Sequence, residues 1–421
     1  MRKEILTIIL TLSGLTLILI VAFSRLLMEG RTHAPGPSHF ILPGLTGRDA
    51  TKTMTGGIIS RDVAKPMAGG ESHTPSILQK TLKLVKYEWK VVDDEDGEQS
   101  GFSGGQGRKE MKQKYLIYLC DKVTACGGWG DRQRGFVNAY LIAYLTGRRF
   151  GINMTVPCDI RRFYVPNLVN WEVSEEEVRG RSTRYIHAVG KENQYSFHDN
   201  LTRIDFNEVY PEDVIYLRTN VEHYWALRQN PHYKKTFPPW LIHGRPRFFD
   251  DAWQWLMKPT PLLQDMAVSL LMDWGWFNRS KPLACAHIRI GVSKYNPEDS
   301  RKINDIKKLG ALWEFLQPYA KNGSVIFMAS DNLVVRETSR EKFGSAHRDT
   351  GGIVVHVDKQ RDEDNACEGF QFALLDQFIL TLCDILITTN SNFSFRAVLI
   401  RANVKGLYFF GNGKIKRVYA I

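Results

Sequence analysis

The segment CEGFQFALLDQFILTLCDILITTNSNFSFRAVLIRANVKGLYFF, residues 367–410, decides the fold class of this chain. It predicts a long helix over 367–383, an apolar strand over 384–389, a second helix over 394–402 and a last strand over 404–410. Strands that are apolar throughout are typical of parallel sheets with both faces covered by helices. Their alternation with helices therefore predicts an α/β fold with a parallel sheet.

The same alternation is present upstream of that segment. Strands are predicted for PLACAHIRI (282–290), SVIFMAS (324–330) and GGIVVHV (351–357), and helices for residues 303–320 and 332–344. Each strand is a short apolar run and each helix has an amphipathic pattern. The last third of the chain therefore reads as one continuous parallel sheet.

A separate strand–helix–strand unit is predicted nearer the middle of the chain. YLIYLC (115–120) reads as a strand, Gly135–Leu145 as a helix and RRFGINMTV (148–156) as the next strand. Residues 157–260 are rich in Trp and Tyr and show no clear period. We assign those aromatic residues to the core.

The N-terminal region predicts a membrane anchor and a stem. Ile5 to Phe23 is uncharged, and a helix needs roughly 20 apolar residues to cross a bilayer. A signal peptide has a shorter apolar region and a small-residue cleavage site, which is poor here. We therefore expect a cytoplasmic tail over 1–4, an uncleaved signal-anchor over 5–23, and a Gly-, Pro- and Ser-rich disordered stem over 24–111.

The charge of the chain is +11 at pH 7. The folded part has no Lys/Arg block of five or more, which argues against nucleic acid as a partner. A basic folded domain suits an anionic substrate, although a dispersed solvated surface would give the same charge. No Cys/His cluster has zinc spacing.

Cysteines and sequons indicate a secretory compartment. All six cysteines lie beyond residue 111, and an even number in a lumenal domain favours disulfides, with fifteen pairings open and buried free thiols as the alternative. The glycosylation candidates are Asn153, Asn200, Asn278 and Asn322; Asn392 also matches the pattern. We therefore expect a single-pass type II protein of the Golgi membrane with a lumenal domain.

Polar residues follow three of the predicted strands, where ligands bind in parallel sheets. Arg289 suits a pyrophosphate because its planar guanidinium donates two hydrogen bonds at once. Asp331 can accept hydrogen bonds from a guanine or a ribose, and a helix N-terminus favours anions. The residues after these strands are His287, Arg289, Asp331, Asn332, Ser391 and Ser394. A surface ion pair for Arg289 and an N-cap role for Ser394 are the structural alternatives.

The stretch CGGWGDRQRGF, residues 126–136, forms a second candidate element. Its first part, residues 126–130, is called the glycine turn below. Its glycines permit positive φ and close approach of the backbone. Asp131, Arg132 and Arg134 then stand at the start of a helix. The spacing fits neither a phosphate P-loop nor a dinucleotide-binding G-x-G-x-x-G motif.

Four stretches together resemble a known superfamily. GGWGDRQRGFVNAYLIAYLTGRRFGI, HIRIG, IFMASDN and LLDQFILTLCDILITTNSNFSFRAVLI resemble, in order and spacing, the motifs of the α1,2-, α1,6- and protein O-fucosyltransferases. The resemblance covers roughly residues 115–160 and 283–410. It implies a GT-B-type enzyme with two Rossmann-like lobes: an acceptor-side lobe over 112–280 and a lobe over 281–421 that binds GDP-fucose. It also implies inversion at the anomeric carbon and no metal or other cofactor.

The resemblance also implies roles for individual residues. Arg289 would contact the pyrophosphate and stabilise the departing GDP, and Asp131 would lie near the sugar. Gly128, Gly130 and Arg132 would face the donor from the glycine turn. The GDP site would be lined by His287, Asp331, Asn332, Asp376 and Ser391.

The chain departs from the superfamily pattern directly after Arg289. Residues 290–293 read IGVS, where some members have a second arginine or a nearby aspartate. Glu298 and Asp299 are the candidate general bases for an acceptor hydroxyl, with a solvated loop as the alternative.

The expected function is transfer of fucose to a glycan or glycoprotein hydroxyl. A Golgi sulfotransferase would share the anchor, stem and basic domain, but it would need a P-loop-like site. A non-catalytic, membrane-anchored glycan-binding protein that keeps the fold is the other alternative.

Overall fold

The computed structural model describes residues 112–237, 245–278, 280–293, 297, 299, 301–359 and 364–420, except for the side chains of 245–247. The expected tail, anchor and stem and the candidate Glu298 lie outside the described residues. Within those ranges, no helix is both long enough and apolar enough to cross a membrane.

The first sheet is four-stranded and wholly parallel, in the order β2-β1-β5-β4. All six residues of its central strand YLIYLC are buried, because helices or loops cover both of its faces. The strands are β1 (Tyr115–Cys120), β2 (Arg149–Met154), β4 (Thr183–Ala188) and β5 (Val214–Thr219). The two strands predicted here, β1 and β2, are confirmed.

The helices of this first part connect its strands or cover them. They are α1 (Trp129–Leu145), α2 (Glu175–Val178), α3 (Lys191–Leu201), α4 (Phe206–Val209), α5 (Tyr224–Gln229), α6 (Arg245–Leu256) and α7 (Pro261–Asp273). A small antiparallel pair joins β3 (Tyr164–Pro166) to β6 (Met257–Pro259).

The second sheet is six-stranded, in the order β12-β11-β10-β7-β8-β9, and is parallel apart from β12. Its strands are β7 (Leu283–Ile288), β8 (Val325–Ser330), β9 (His347–Arg348), β10 (Ile385–Thr388), β11 (Leu407–Gly411) and β12 (Lys414–Arg417). The helices that connect them are α8 (Gly310–Lys321), α9 (Leu333–Phe343), α10 (Ala366–Thr381) and α11 (Asn392–Arg401). The α/β class with parallel sheets is therefore confirmed.

Three sequence predictions about elements were wrong. Helix α1 begins at Trp129, six residues before the predicted start, because Gly130 and Gly135 lie inside the helix where it packs against backbone. Residues 351–357 form no strand but an irregular segment, and β9 lies just before it. Helix α8 begins at Gly310, after a short 3-10 turn that Asp305 caps.

One hydrophobic core extends under both sheets. Trp129 at the start of α1 packs edge-on against Trp253 and Phe370, with ring centroids 5.8 and 5.3 Å apart, and stacks on Tyr164. The Trp129 indole donates a hydrogen bond of 2.7 Å to Gln377 in α10. Helix α1 therefore packs against α10 of the second part as well as against α6 of its own part.

The six cysteines form three disulfides. The pairs are Cys120–Cys126, Cys158–Cys367 and Cys285–Cys383. The first closes the loop after β1, and the second ties the segment after β2 to the start of α10. The buried free thiols that the sequence left open are thereby excluded.

Candidate active site

The carboxyl ends of β7, β8 and β10 open onto a cavity of about 390 Å³, within the size range of small-molecule sites. The glycine turn after β1 forms the opposite wall. The candidate residues that line the cavity are Gly128, Gly130, Asp131, His287, Arg289, Asp299, Asp331, Asp376 and Ser391. Four of the six residues predicted from the strand ends, His287, Arg289, Asp331 and Ser391, therefore lie in one cleft.

Arg289 follows β7 and its side chain lies between two carboxylates. Its guanidinium contacts Asp299 and approaches Asp331 at 3.3 Å. Its backbone is fixed as well, because its N–H donates to the Thr389 hydroxyl at 3.0 Å and its carbonyl accepts from Asn304 at 2.8 Å. The side chain is one-quarter exposed, so it can reach a ligand in the cleft.

Asp331 follows β8 and holds the turn that carries Arg289. Its two carboxylate oxygens accept hydrogen bonds from the N–H groups of Ile290 (2.7 Å) and Gly291 (2.8 Å). Burial raises the pKa of the Asp331 carboxyl, although Arg289 and the two N–H groups oppose that rise. Asp331 lines the cleft, and its oxygens are engaged by this turn; its predicted contact with a guanine or ribose remains a prediction.

His287 is a buried, neutral imidazole in the wall of the cleft. Burial and the positive charge of Arg289 lower its pKa to about 3. Its ring packs on Phe393 at 4.9 Å, and its Nδ1 has no hydrogen-bond partner among the described residues. An unpartnered buried nitrogen costs free energy unless a ligand or a water satisfies it.

The N-terminus of α11 meets the glycine turn across the cleft. Ser391 caps this helix by accepting from the Phe393 N–H, and Asn392 donates to Asp131 at 2.6 Å. Helix N-termini favour anions because their N–H groups and dipole point outward. If Asn392 meets a ligand here, its sequon is a poor glycosylation site.

Asp376 lies in the floor of the cleft with Arg336. The two side chains are 3.2 Å apart, and the Thr350 hydroxyl donates to Asp376 at 2.7 Å. Burial raises the pKa of Asp376 to about 6, while Arg336 limits the rise. The sequence motifs predicted Asp376 as a site residue but not its partner Arg336.

Three predicted residues do not line the cleft. Arg132 is fully buried and donates to the carbonyls of Gly127, Val156 and Val357. Asn332 caps α9 by accepting from the Val334 N–H, and the Ser394 hydroxyl donates to the carbonyls of Thr389 and Ser391, just before α11. Their visible roles are structural, but the N-cap of α11 is Ser391, so the N-cap alternative for Ser394 was wrong.

Sequence reasoning missed the irregular segment over residues 353–359, which crosses the cleft wall. His356 accepts N–H bonds from Asp358 (3.4 Å) and Lys359 (3.2 Å) at Nδ1, and its Nε2 lies 3.8 Å from Asp299. Asp358 accepts from the N–H groups of Cys126 and Gly127. The run GGIVVHV was assigned to a strand, so His356 within it was not considered. Asp358 directly follows this apolar run, which was the available signal.

The remaining predictions concern metal binding and glycosylation. Among the described residues, no group of His, Cys, Asp or Glu is arranged to hold a metal ion. Asn153, Asn278 and Asn322 are exposed and Asn200 is half-buried.

No family model and no curated protein matches the chain. An arginine-to-lysine mutant of FUT1 from Arabidopsis thaliana in complex with GDP shares 14% identity over 73% of this chain and 71% of that one, with TM-score 0.47. NodZ α-1,6-fucosyltransferase soaked with GDP-fucose, an enzyme of Bradyrhizobium, shares 14% over 73% and 99%, with TM-score 0.47. POFUT1 in an apo form shares 11% over 73% and 100%, with TM-score 0.38. These three neighbours are fucosyltransferases.

Proposed function

We propose that this chain transfers L-fucose from GDP-β-L-fucose to a hydroxyl of a glycan or glycoprotein, with inversion and without a metal. The observation that carries the proposal is the cleft itself, where Arg289 and the N-terminus of α11 meet opposite Asp131. The order and spacing of the four sequence motifs supports fucose over other sugars. We infer a GT-B-type arrangement on the same grounds.

The donor's diphosphate fits the second-sheet wall of the cleft. A guanidinium and a helix N-terminus both stabilise phosphoryl oxygens, and both lie at this wall. The negative charge on the leaving GDP grows in the transition state, so Arg289 would act when the glycosidic bond breaks. His287 would donate or accept as a neutral group, because its lowered pKa keeps it uncharged.

Inversion needs the acceptor oxygen to attack the anomeric carbon from the side opposite the leaving phosphate. Asp131 lies on the wall opposite Arg289, and its side chain is one-third exposed. We assign it to accept the proton of the acceptor hydroxyl. Asp299 is in contact with Arg289, so its role in this scheme is to hold that guanidinium; Glu298 stays a prediction.

We further propose a lumenal Golgi location in a type II orientation, with residues 5–23 as the anchor. The three disulfides fit an oxidising compartment. Three exposed sequon asparagines are consistent with glycosylation in the same compartment.

The proposal is tested with the full chain in detergent and excess chelator. Hydrolysis of GDP-fucose is compared with that of GDP-mannose and UDP-galactose, and GDP binding is measured in parallel. We expect selective turnover of GDP-fucose, reduced about 10²- to 10³-fold by Arg289→Ala, as when one preorganised donor to a developing anion is removed. Arg184→Ala, an exposed arginine on β4, is the matched control and should leave turnover unchanged.

Two outcomes would reject the proposal. A chain that does not bind GDP has no donor site of this kind. A chain that binds GDP but neither hydrolyses GDP-fucose nor transfers fucose to a panel of glycans and glycoproteins fits the non-catalytic alternative instead.

A further inference from the structure

The glycine turn is held from the far side of the cleft by one carboxylate. Oδ1 of Asp358 accepts hydrogen bonds from two consecutive N–H groups, those of Cys126 (2.8 Å) and Gly127 (3.0 Å). The bonded residues are more than 230 positions apart in sequence. Asp358 belongs to the segment after β9, whereas the turn follows β1 of the other sheet.

The contact is buried and supported by a charge. The Asp358 side chain is 8% exposed, and Nη2 of the fully buried Arg132 lies 3.7 Å from the same oxygen. Arg132 also donates to the carbonyls of Gly127 (2.8 Å) and Val357 (3.1 Å). Asp358 and Arg132 therefore satisfy the N–H and the carbonyl of Gly127 together.

Asp358 holds the Cys126–Gly127 end of the turn, whereas Asp131 lies in α1 and is held separately by Asn392 across the cleft at 2.6 Å. Gly127 has φ +83°, and the disulfide Cys120–Cys126 ties the turn back to β1. Both constraints lie on the first-sheet side. The contacts of Trp129 and Gln133 with Gln377 fix the helix that follows, not the N–H groups of the turn.

We propose that Asp358 is a positioning residue: it fixes Gly127 and Gly128 of the glycine turn, which line the cleft, at the correct distance from the donor-binding wall. This rests on the proposed function. Gly127 and Gly128 line the cleft, so a turn released by about 1 Å would move their backbone away from the sugar. A displacement of that size costs about 10²-fold in rate. GDP would still bind, because Arg289, Asp376 and the N-terminus of α11 belong to the other wall.

The test compares four proteins as full chains: wild type, Asp358→Ala, Asp358→Asn and the control Asp205→Ala. Asp205 also accepts from two consecutive N–H groups, those of Asn207 and Glu208, but within its own helix cap and away from the cleft. Asp358→Ala should lower GDP-fucose turnover about 10²-fold while the Kd for GDP changes less than about threefold. Asp358→Asn keeps an acceptor oxygen and should recover at least about tenfold of that loss. Asp205→Ala should change neither value.

Amide hydrogen exchange gives a measurement that does not depend on catalysis. In Asp358→Ala, exchange should quicken in the peptide that spans residues 121–131 and stay unchanged in α9 and α10. Unchanged exchange there, or wild-type turnover in Asp358→Ala, would overturn the proposal. So would a parallel loss of GDP affinity and turnover in both Asp358 variants, because that is the pattern of a general structural residue. A wild-type chain that fails to bind GDP would reject the proposed function and leave the exchange result to decide the role of Asp358.

Discussion

One buried histidine, His223, makes the stability of this protein depend on pH. His223 is 2% exposed, and burial, His198 and Arg134 lower its pKa to about 3. Its Nδ1 lies 3.2 Å from the Nδ1 of His198, and its Nε2 has no hydrogen-bond partner among the described residues. His223 is therefore neutral in the folded state at any pH at which the protein would be assayed.

The pH dependence of stability follows from that neutrality. Between its unfolded pKa of about 6.5 and its folded pKa, the unfolded chain binds a proton at His223 that the folded chain does not, so stability falls as the pH falls. Each such histidine contributes about 1.4 kcal/mol per pH unit in that window. We expect the pH dependence of unfolding free energy between about pH 5 and 6.5 to be shallower by this amount in His223→Asn. Urea unfolding of both proteins at several pH values measures it, and parallel curves would contradict the assignment.

Among the elements, the close packing of α1 against α11 depends on one glycine, Gly130. A Cβ added at Gly130 would lie 2.6 Å from the Asn392 carbonyl oxygen and 2.6 Å from the Phe393 nitrogen. Both are backbone atoms, so no side-chain rotation can relieve the clash. Gly130→Ala should push the two helices apart, at a cost of about 1–3 kcal/mol. Because the first turn of α11 lines the cleft, GDP affinity should fall too.

Gly310 at the start of α8 is the matched control, since a Cβ there has no neighbour within 4 Å and the residue is helical. Gly310→Ala should be neutral or stabilise the protein by up to about 1 kcal/mol. Chemical unfolding and GDP titration of both variants measure the pair. Equal effects of the two substitutions would show that the packing of α1 on α11 is looser than this structure has it.

What the sequence revealed about these elements depended on whether the signal was local. Apolar strands such as β7, β8 and β10 were predictable because burial on both faces leaves a continuous apolar run. The strand-end rule then brought Arg289, Asp331 and Ser391 to one cleft. The early start of α1 was not predictable, since glycines at 127–130 indicate a turn, and the close approach of Gly130 to the Asn392–Phe393 backbone is a tertiary contact.

Tertiary contacts explain the remaining wrong predictions about the site. Arg132 and Asn332 carry polar groups of the right kind, but their partners are backbone atoms whose proximity no local pattern encodes. The segment 351–357 has the composition of a strand, yet Gly352 and Val355 pack against Phe372 and Gly369 of α10 instead of joining the sheet. His356 and Asp358 reach the cleft for that reason.

At the scale of the whole molecule, the disulfide Cys158–Cys367 joins parts that each belong to a different sheet. It closes 209 residues, and constraining a loop of that length in the unfolded chain is worth about 5 kcal/mol in the chain-entropy model. Both cysteines are half-buried, so serine fits either position without leaving a buried hydroxyl in the core. Cys285–Cys383 closes only 98 residues and is almost fully buried, which makes it a poorer test.

We expect Cys158→Ser, Cys367→Ser and the double variant to lose the same amount of stability, several kcal/mol by chemical unfolding without reductant. The reason is that either substitution alone removes the whole cross-link, so the second has nothing left to remove. If the double variant lost as much stability as the two single variants together, the two sulfurs would act separately and no cross-link would join them. Because the constraint acts on the unfolded chain, GDP affinity of the folded double variant should stay close to that of the wild type. A large fall in that affinity would instead show that the bridge holds the two walls of the cleft in place, and the entropic account would then be wrong for this pair.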